Sequence, residues 1–353
     1  MDLLEYKDLD GIKEWRDKFE PLISYVEDIN KNNHSTATSI MIIHKDKIAL
    51  EYYYGNHSND SNSRVITFDS QFNIASIRKT YIGLVVAYAI YEGKIKSLDD
   101  YVITYLRGYD LDVLKGVTIR HLLTHSHGLN EKENGIVYKE FKPGDKWAYR
   151  NINVKLINQI INNVYGESVA QIIKSKVLNS LNFKETDWRT RDDKKLVKVI
   201  GFPDNNPLSY LGKSDKGDEG NLFVSTRELA YWGYLHLKRG NINGDQVVPK
   251  EVIDLSTSLH NIEYKDENLP DNGFFWYVQK NGKKNSEIGE KVPRGSFQIV
   301  GITGTILLVI PAFELVIVKM SNKEYNYGGE RYIDYIKKFG DLVVDLYSKE
   351  RKF

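Results

Sequence analysis

The sequence predicts an α+β fold, with an antiparallel sheet flanked by N- and C-terminal helices and a mostly helical domain inserted in the middle. Three observations carry this. Runs of β-type residues sit near both ends, at 39–54 and after about residue 270. Helical periodicity dominates the stretch between them, and each end of the chain carries one amphipathic helix.

Taken in order, Leu9 to Ile29 places Ile12, Trp15, Phe19, Leu22, Ile23 and Val26 at mostly three- and four-residue intervals, the stripe of a helix that lies on a core. Ser39–His44 and Lys47–Tyr54 are rich in Ile and Tyr and read as a hairpin turning at Lys45-Asp46. Helices are expected over Ser76–Gly93, Ile119–Leu123, Ile152–Tyr165, Val169–Leu178 and Thr226–Lys238, joined by polar or glycine-containing segments. The β pattern then returns at Gly273–Val278, Gly295–Val300, Thr305–Ile310 and Leu315–Met320, with Pro311 to Glu314 as a turn. Tyr332 to Tyr347 closes the chain as a helix with Ile333, Ile336, Phe339, Leu342, Val343 and Leu346 along one face. Residues 1–75 with 265–353 are therefore expected to form one α/β domain and 76–264 a helical insertion. Pro203 to Gly220, dense in Asp, Asn, Gly and Ser, is the most loop-like stretch and a candidate border of a site.

Composition narrows the function. The 353 residues have room for about two domains. Lys and Arg number 49 against 48 Asp and Glu, a net charge of +1, so the concentrated basic footprint of a nucleic-acid or anionic-membrane binder is missing. There is no cysteine, which excludes thiol nucleophiles, cysteine zinc sites, iron–sulfur clusters and disulfides. The first residues are acidic where a signal peptide needs an apolar core, and the apolar stretch Ile82–Ile90 is far shorter than the roughly 20 residues that span a bilayer. The chain as given is expected to be cytoplasmic. Nothing in it speaks to oligomeric state.

The sharpest local signal is Phe72-Asn73-Ile74-Ala75-Ser76-Ile77-Arg78-Lys79. Ser76 and Lys79 are three apart at a helix start and share a face. A serine hydroxyl needs a neighbour to take its proton, and a lysine can do so if burial or a second cation lowers its pKa. Free N–H groups at the helix start can hold an oxyanion. The plain alternative is a capping serine followed by a surface lysine. A second element is Tyr149-Arg150-Asn151, just before a helix. Tyr149 can pass a proton between Ser76 and a leaving group, while Asn151 can orient the substrate carbonyl and hold Lys79. The plain alternative makes Tyr149 one of 24 tyrosines and Asn151 a helix N-cap.

Together these segments resemble the serine β-lactamase and penicillin-binding-protein superfamily, in the branch of class C β-lactamases, D-aminopeptidases, DD-peptidases and related esterases. The resemblance covers most of the chain in the family's order. Besides the two motifs above it includes Leu98-Asp99-Asp100, the run Thr118-Ile119-Arg120-His121-Leu122-Leu123-Thr124-His125, and Gly220-Asn221-Leu222, where Asn221 replaces a glycine and is expected to tolerate positive φ. The resemblance implies a β-lactamase/transpeptidase-like fold and a serine hydrolase that needs no cofactor or metal. It also implies a third element, Lys-Thr-Gly or His-x-Gly, matched here to Ile302-Thr303-Gly304, with Thr305 following. The N–H groups of Ser76 and Thr305 would then form the oxyanion hole. Ile302 stands where the family has a cationic or imidazole residue, so a substrate carboxylate loses its partner unless Arg294 supplies one. The expected substrate is a small-molecule ester, amide or peptide, neutral rather than carboxylate-bearing.

Two other readings compete. Ile302 is the argument for a catalytically silent binding or regulatory module that keeps the fold. His121, His125 and His127 form His-x₃-His-x-His, a spacing that three zinc ligands can have. A zinc-protease motif, however, wants a glutamate after the first histidine, where this chain has Leu122. Tyr52-Tyr53-Tyr54 is expected on a strand, and Phe274 and Trp276 are read as core, with the lining of a pocket as the alternative.

Overall fold

This computed structural model describes residues 3–6, 12–260, 264–327 and 331–348, with side chains in the first helix from Asp17 onward. Its centre is a six-stranded antiparallel sheet in the order Tyr277–Val278, Phe297–Val300, Ile306–Ile310, Leu315–Ser321, Ala37–His44, Lys47–Gly55. The two ends of the chain meet where Ala37–His44 pairs with Leu315–Ser321, in register from Thr38 opposite Ser321 to His44 opposite Leu315.

These strands are apolar at nearly every position because both faces of the sheet are covered. Ile40 and Ile42 point to one face with Leu308, Ile310 and Ile317, under Phe19, Leu22 and Val26 of the helix Ile12–Asn32 and Ile336, Phe339 and Val343 of the helix Tyr332–Ser348. Met41 and Ile43 point to the other with Leu307, Val309 and Val316, against the inserted block. The helix Thr226–Leu237 lies along the sheet as the block's broadest contact with it. It comes close because Gly233 carries no side chain: a Cβ there would stand 2.6 Å from Val316 and 2.7 Å from Leu307. From the adjacent position on the same helix, Trp232 stacks on Tyr81 at 3.9 Å between centroids and donates from Nε1 to Thr80 Oγ1 at 3.0 Å. Tyr81 belongs to Arg78–Tyr91, the central helix of the block, whose sides are nearly all buried. No helix among the described residues is long and apolar enough to cross a membrane.

Most expected elements are present, with informative exceptions. The expected start of the first helix at Leu9 and the parts played by Ile12 and Trp15 lie outside the described residues. The helix expected from Ser76 begins as a 3₁₀ turn over Ala75–Ile77 and becomes α-helical at Arg78. Val169–Leu178 is α-helical to Ile173 and continues as one π-helical stretch, Lys174–Leu178. Of the strand expected over Gly273–Val278 only Tyr277–Val278 pairs with the sheet. Phe274, Phe275 and Trp276 are buried in a turn in which Phe275 has φ of 66°, so their apolar run reflects burial on all sides rather than a strand. A small sheet inside the block, Gln71–Asn73, Leu222–Ser225 and Thr186–Trp188, has strands of three or four residues, too short to show alternation.

Candidate active site

Ser76 stands where the short strand Gln71–Asn73 turns into the central helix. Ala75 before it has φ of 46°, a left-handed conformation that is uncommon without a glycine. Asn73 holds that turn. Its side chain accepts from the Ala75 N–H at 2.9 Å and donates to the Gly220 carbonyl at 2.9 Å, and its own carbonyl accepts from Thr303 Oγ1 at 2.9 Å. Ser76 is thereby set, half-buried, on the wall of a cavity of about 560 Å³.

Lys79 and Tyr149 converge on it. Ser76 Oγ lies 2.5 Å from the Tyr149 hydroxyl and 3.0 Å from Lys79 Nζ, and Lys79 Nζ lies 2.6 Å from the same hydroxyl. Burial, reinforced by the Arg78 guanidinium, pushes the Lys79 pKa well below the ordinary lysine range. Burial raises that of Tyr149 to about 12, with Glu287 adding to the rise and Ser76 and Arg78 opposing it. Of the two, Lys79 is therefore the group that gives up its proton more easily. His125, buried with φ of 57°, stacks on the Tyr149 ring at 4.7 Å, and its Nδ1 accepts from Asn153 Nδ2 at 3.2 Å. Burial and the nearby Lys79 keep this imidazole neutral.

Asn151 also lines the cavity but is exposed, does not bridge to Lys79, and makes no side-chain cap to the helix Ile152–Tyr165. Lys79's hydrogen bonds go to Ser76 and Tyr149 instead.

The third element needs a correction. Thr303, Gly304 and Thr305 do not line the cavity; the two threonines are fully buried, with Thr303 committed to Asn73. The segment that faces Ser76 is the end of the strand Phe297–Val300, and Ile299, Val300 and Ile302 line the cavity. Gly301 marks the close approach: a Cβ there would sit 2.4 Å from the Ile74 carbonyl oxygen. Neither the Ser76 nor the Ile302 N–H has a backbone acceptor among the described residues. Ile302 is thus at the site as expected, but one strand end earlier in role, and Ile299 beside it also carries no charge. Arg294 is exposed in a separate groove with His236 and Asp254 and brings no cation to the cavity.

The remaining candidates are structural. Asp99 pairs with Arg120 at 2.8 Å. His121 completes a capping box with Thr118, and His127 Nδ1 accepts from the Leu129 N–H, so the three histidines point to different partners. No group of three or more His, Cys, Asp or Glu among the described residues is placed to hold a metal ion. Asn221 does not adopt positive φ; its amide instead ties the carbonyls of Arg189 and Ser214. The Pro203–Gly220 loop does not line the cavity; it touches the site's surroundings through Gly220, whose carbonyl accepts from Asn73, and through Asp218, whose charge acts on Arg78. Sequence reasoning missed Glu287, Trp147, Tyr277, Tyr327 and Tyr332 as cavity residues, and His125, weighed there as a possible zinc ligand, lines the cavity as well.

Residues 22–339 match the model of the Beta-lactamase family. The chain belongs to that family. A relative in Alkalihalophilus pseudofirmus, an uncharacterized protein, is 45% identical over 327 residues, covering 93% of this chain and 96% of that one. The protein flp of Staphylococcus aureus is 24% identical over 61% of this chain, which spans about half (48%) of flp's length. Among solved structures, EstCE1, a hydrolase with promiscuous acyltransferase activity, superposes with a TM-score of 0.71 at 16% identity, covering 91% of this chain and 98% of its own. A class C β-lactamase in complex with cefoxitin gives a TM-score of 0.73 at 17% identity over 92% and 99%. At these identities the structural matches show the beta-lactamase fold.

Proposed function

We propose that this protein is a serine hydrolase that cleaves an ester or amide through an acyl-enzyme on Ser76. The observation that carries the reading is the triangle of Ser76 Oγ, Lys79 Nζ and Tyr149 OH, with sides of 2.5 to 3.0 Å. The neutral amine of Lys79 takes the Ser76 proton, directly or through the Tyr149 hydroxyl, as Oγ bonds to the substrate carbonyl carbon. The tetrahedral oxyanion rests on the N–H groups of Ser76 and Ile302, the latter taking the part expected of Thr305. Collapse breaks the C–O or C–N bond, and Tyr149 and Lys79 return the proton to the leaving alcohol or amine. Water then repeats the sequence on the acyl-enzyme, its proton moving to the same pair, to release the acid and free Ser76. Asn151, exposed at the mouth, is available to the substrate's carbonyl or amide.

The site holds no lysine, arginine or histidine on the strand Phe297–Val300 to pair with a substrate carboxylate, which favours non-carboxylate substrates over penicillins. The same observation favours, as the second reading, a silent module that keeps the fold. Intact-protein mass after exposure to a fluorophosphonate, a p-nitrophenyl ester and a penicillin separates the two. The expected result is a single adduct from the first two reagents that disappears in Ser76→Ala; the absence of any adduct supports the silent module.

A further inference from the structure

Among the described residues that line the Ser76 cavity there is one carboxylate, and nothing in the family resemblance accounts for it. Glu287 lines the cavity, mostly buried, on a segment fastened by Gln298, whose Nε2 donates to the Glu287 carbonyl at 2.7 Å. No ion pair is recorded for its side chain among the described residues, where its neighbour is the Tyr277 hydroxyl. Aromatic rings surround the same space. Trp147 and Tyr277 have centroids 6.4 Å apart, as do Trp147 and Tyr149, while Tyr327 and Tyr332 form a second pair at 6.0 Å. Trp147 is held by its indole N–H, which donates to Asn272 Oδ1 at 2.9 Å.

A carboxylate with no cationic partner, in a pocket walled by ring faces, has the chemistry that recognises an ammonium group: charge pairing from one side and cation–π attraction from the others. Lys79, the one strongly basic side chain among the described lining residues, is engaged with Ser76 and Tyr149, and burial favours its neutral form. A substrate carboxylate would meet Glu287 and no countercharge.

We propose that Glu287, with Trp147, Tyr277 and Tyr332, forms an ammonium subsite, so that this enzyme selects esters or amides bearing a primary, secondary or quaternary amine. The proposal rests on the serine-hydrolase reading for its chemistry but not for its binding. Burial pushes the Glu287 carboxyl up to about 7, the Tyr277 hydroxyl acting against the rise. The groups that share its surroundings are Tyr149, Tyr277, Tyr327 and Tyr332, whose pKa values burial raises, and across the cavity Lys79 and His125, whose values burial lowers. Affinity for a cation of fixed charge therefore rises with pH as Glu287 ionises between about 6 and 8.

The test is calorimetric titration of the intact protein with (2-hydroxyethyl)trimethylammonium and with its neutral isostere 3,3-dimethylbutan-1-ol, at pH 6 and pH 8. The expected result is binding of the ammonium about 10-fold tighter than the alcohol at pH 8, the scale of a desolvated cation–π and charge contact. The ratio shrinks at pH 6, collapses towards one in Glu287→Gln at both pH values, and is partly restored in Glu287→Asp. Equal binding of the two probes, no binding of the ammonium, or a ratio unchanged in Glu287→Gln overturns the subsite. Hydrolysis of p-nitrophenyl acetate, followed in the same preparation, judges the serine-hydrolase reading separately: turnover without an ammonium preference removes the subsite alone, and an ammonium preference without turnover removes the hydrolase alone.

Discussion

Ser76 and Lys79 share a helix face by their spacing, but what makes the pair reactive is where Lys79 ends up. It is 2% exposed, beside Arg78, and its amine is held in the form that can accept a proton. That arrangement opposes stability. An unfolded lysine keeps its proton at neutral pH, while the folded one is driven to release it. The unfolded state therefore binds more protons, and folding becomes more favourable as pH rises towards the ordinary lysine range. Lys79→Met fills the same volume without a charge to desolvate. It should cut ester turnover by about 10²–10⁴-fold, as removal of a general base does, yet raise the urea midpoint, with the gain larger at pH 6 than at pH 9. A midpoint that falls at both pH values would mean that Lys79 holds the site together through its hydrogen bonds to Ser76 and Tyr149 more than it strains it.

At the scale of elements, the site is a seam between a turn and a strand end. The turn Ile74–Ser76 leads into the central helix of the inserted block, the segment Ile299–Ile302 follows from the sheet, and Gly301 lets the two backbones close on each other. Gly301→Ala puts a methyl 2.4 Å from the Ile74 carbonyl, and backbone cannot swing aside as a flexible side chain does. The expected cost is about 1–3 kcal/mol in stability and about a hundredfold in turnover, since the oxyanion donors move apart by a fraction of an ångström or more. Stability measured by urea titration and kcat on a p-nitrophenyl ester check both; a variant with native kcat would show that the strand end is not part of the catalytic geometry. This seam was only half legible in the sequence. The Ser-x-x-Lys spacing and Tyr149 were readable because each lies within one local motif. The strand end was not, since Gly301 and Gly304 are three residues apart in one apolar run and either can end a strand. Pairing of Val300 with Ile306 decides it, and pairing is a property of the folded sheet. Glu287 was illegible for another reason: its segment has no periodicity, and it is fixed by distant partners, Gln298 holding its own carbonyl and Gln279 those of Gly289 and Val292. The long helices and the central strands were legible because the sheet buries both faces, which writes an unbroken apolar pattern into the chain.

At the scale of the whole molecule, the expected division at residues 75 and 265 follows the sequence pattern but cuts through the core. One apolar cluster runs from Met41, Val309 and Val316 of the sheet through Leu229 and Trp232 to Leu84 and Ile157 of the inserted block. Gly233 brings the helix Thr226–Leu237 onto the sheet, and Trp232 beside it locks onto Tyr81, two residues beyond Lys79. Burial shared in this way leaves one face of the sheet uncovered without the block, while the other face packs its own cluster under the two terminal helices. The catalytic groups depend on both, since Ser76, Lys79 and Tyr149 sit on one side of the seam and Ile302 on the other. We therefore expect one cooperative transition on urea unfolding, with far-UV circular dichroism, tryptophan fluorescence and ester turnover lost at a single midpoint. Trp232 reports the junction and Trp147 the cavity, so fluorescence that changes well before the dichroism, together with early loss of turnover, would show the inserted block opening by itself and the two parts as independent folding units. Coincident loss would instead mean that the cavity is as stable as the sheet beneath it, and that the strain stored at Ala75 and Lys79 is carried by the whole core and not by the block alone.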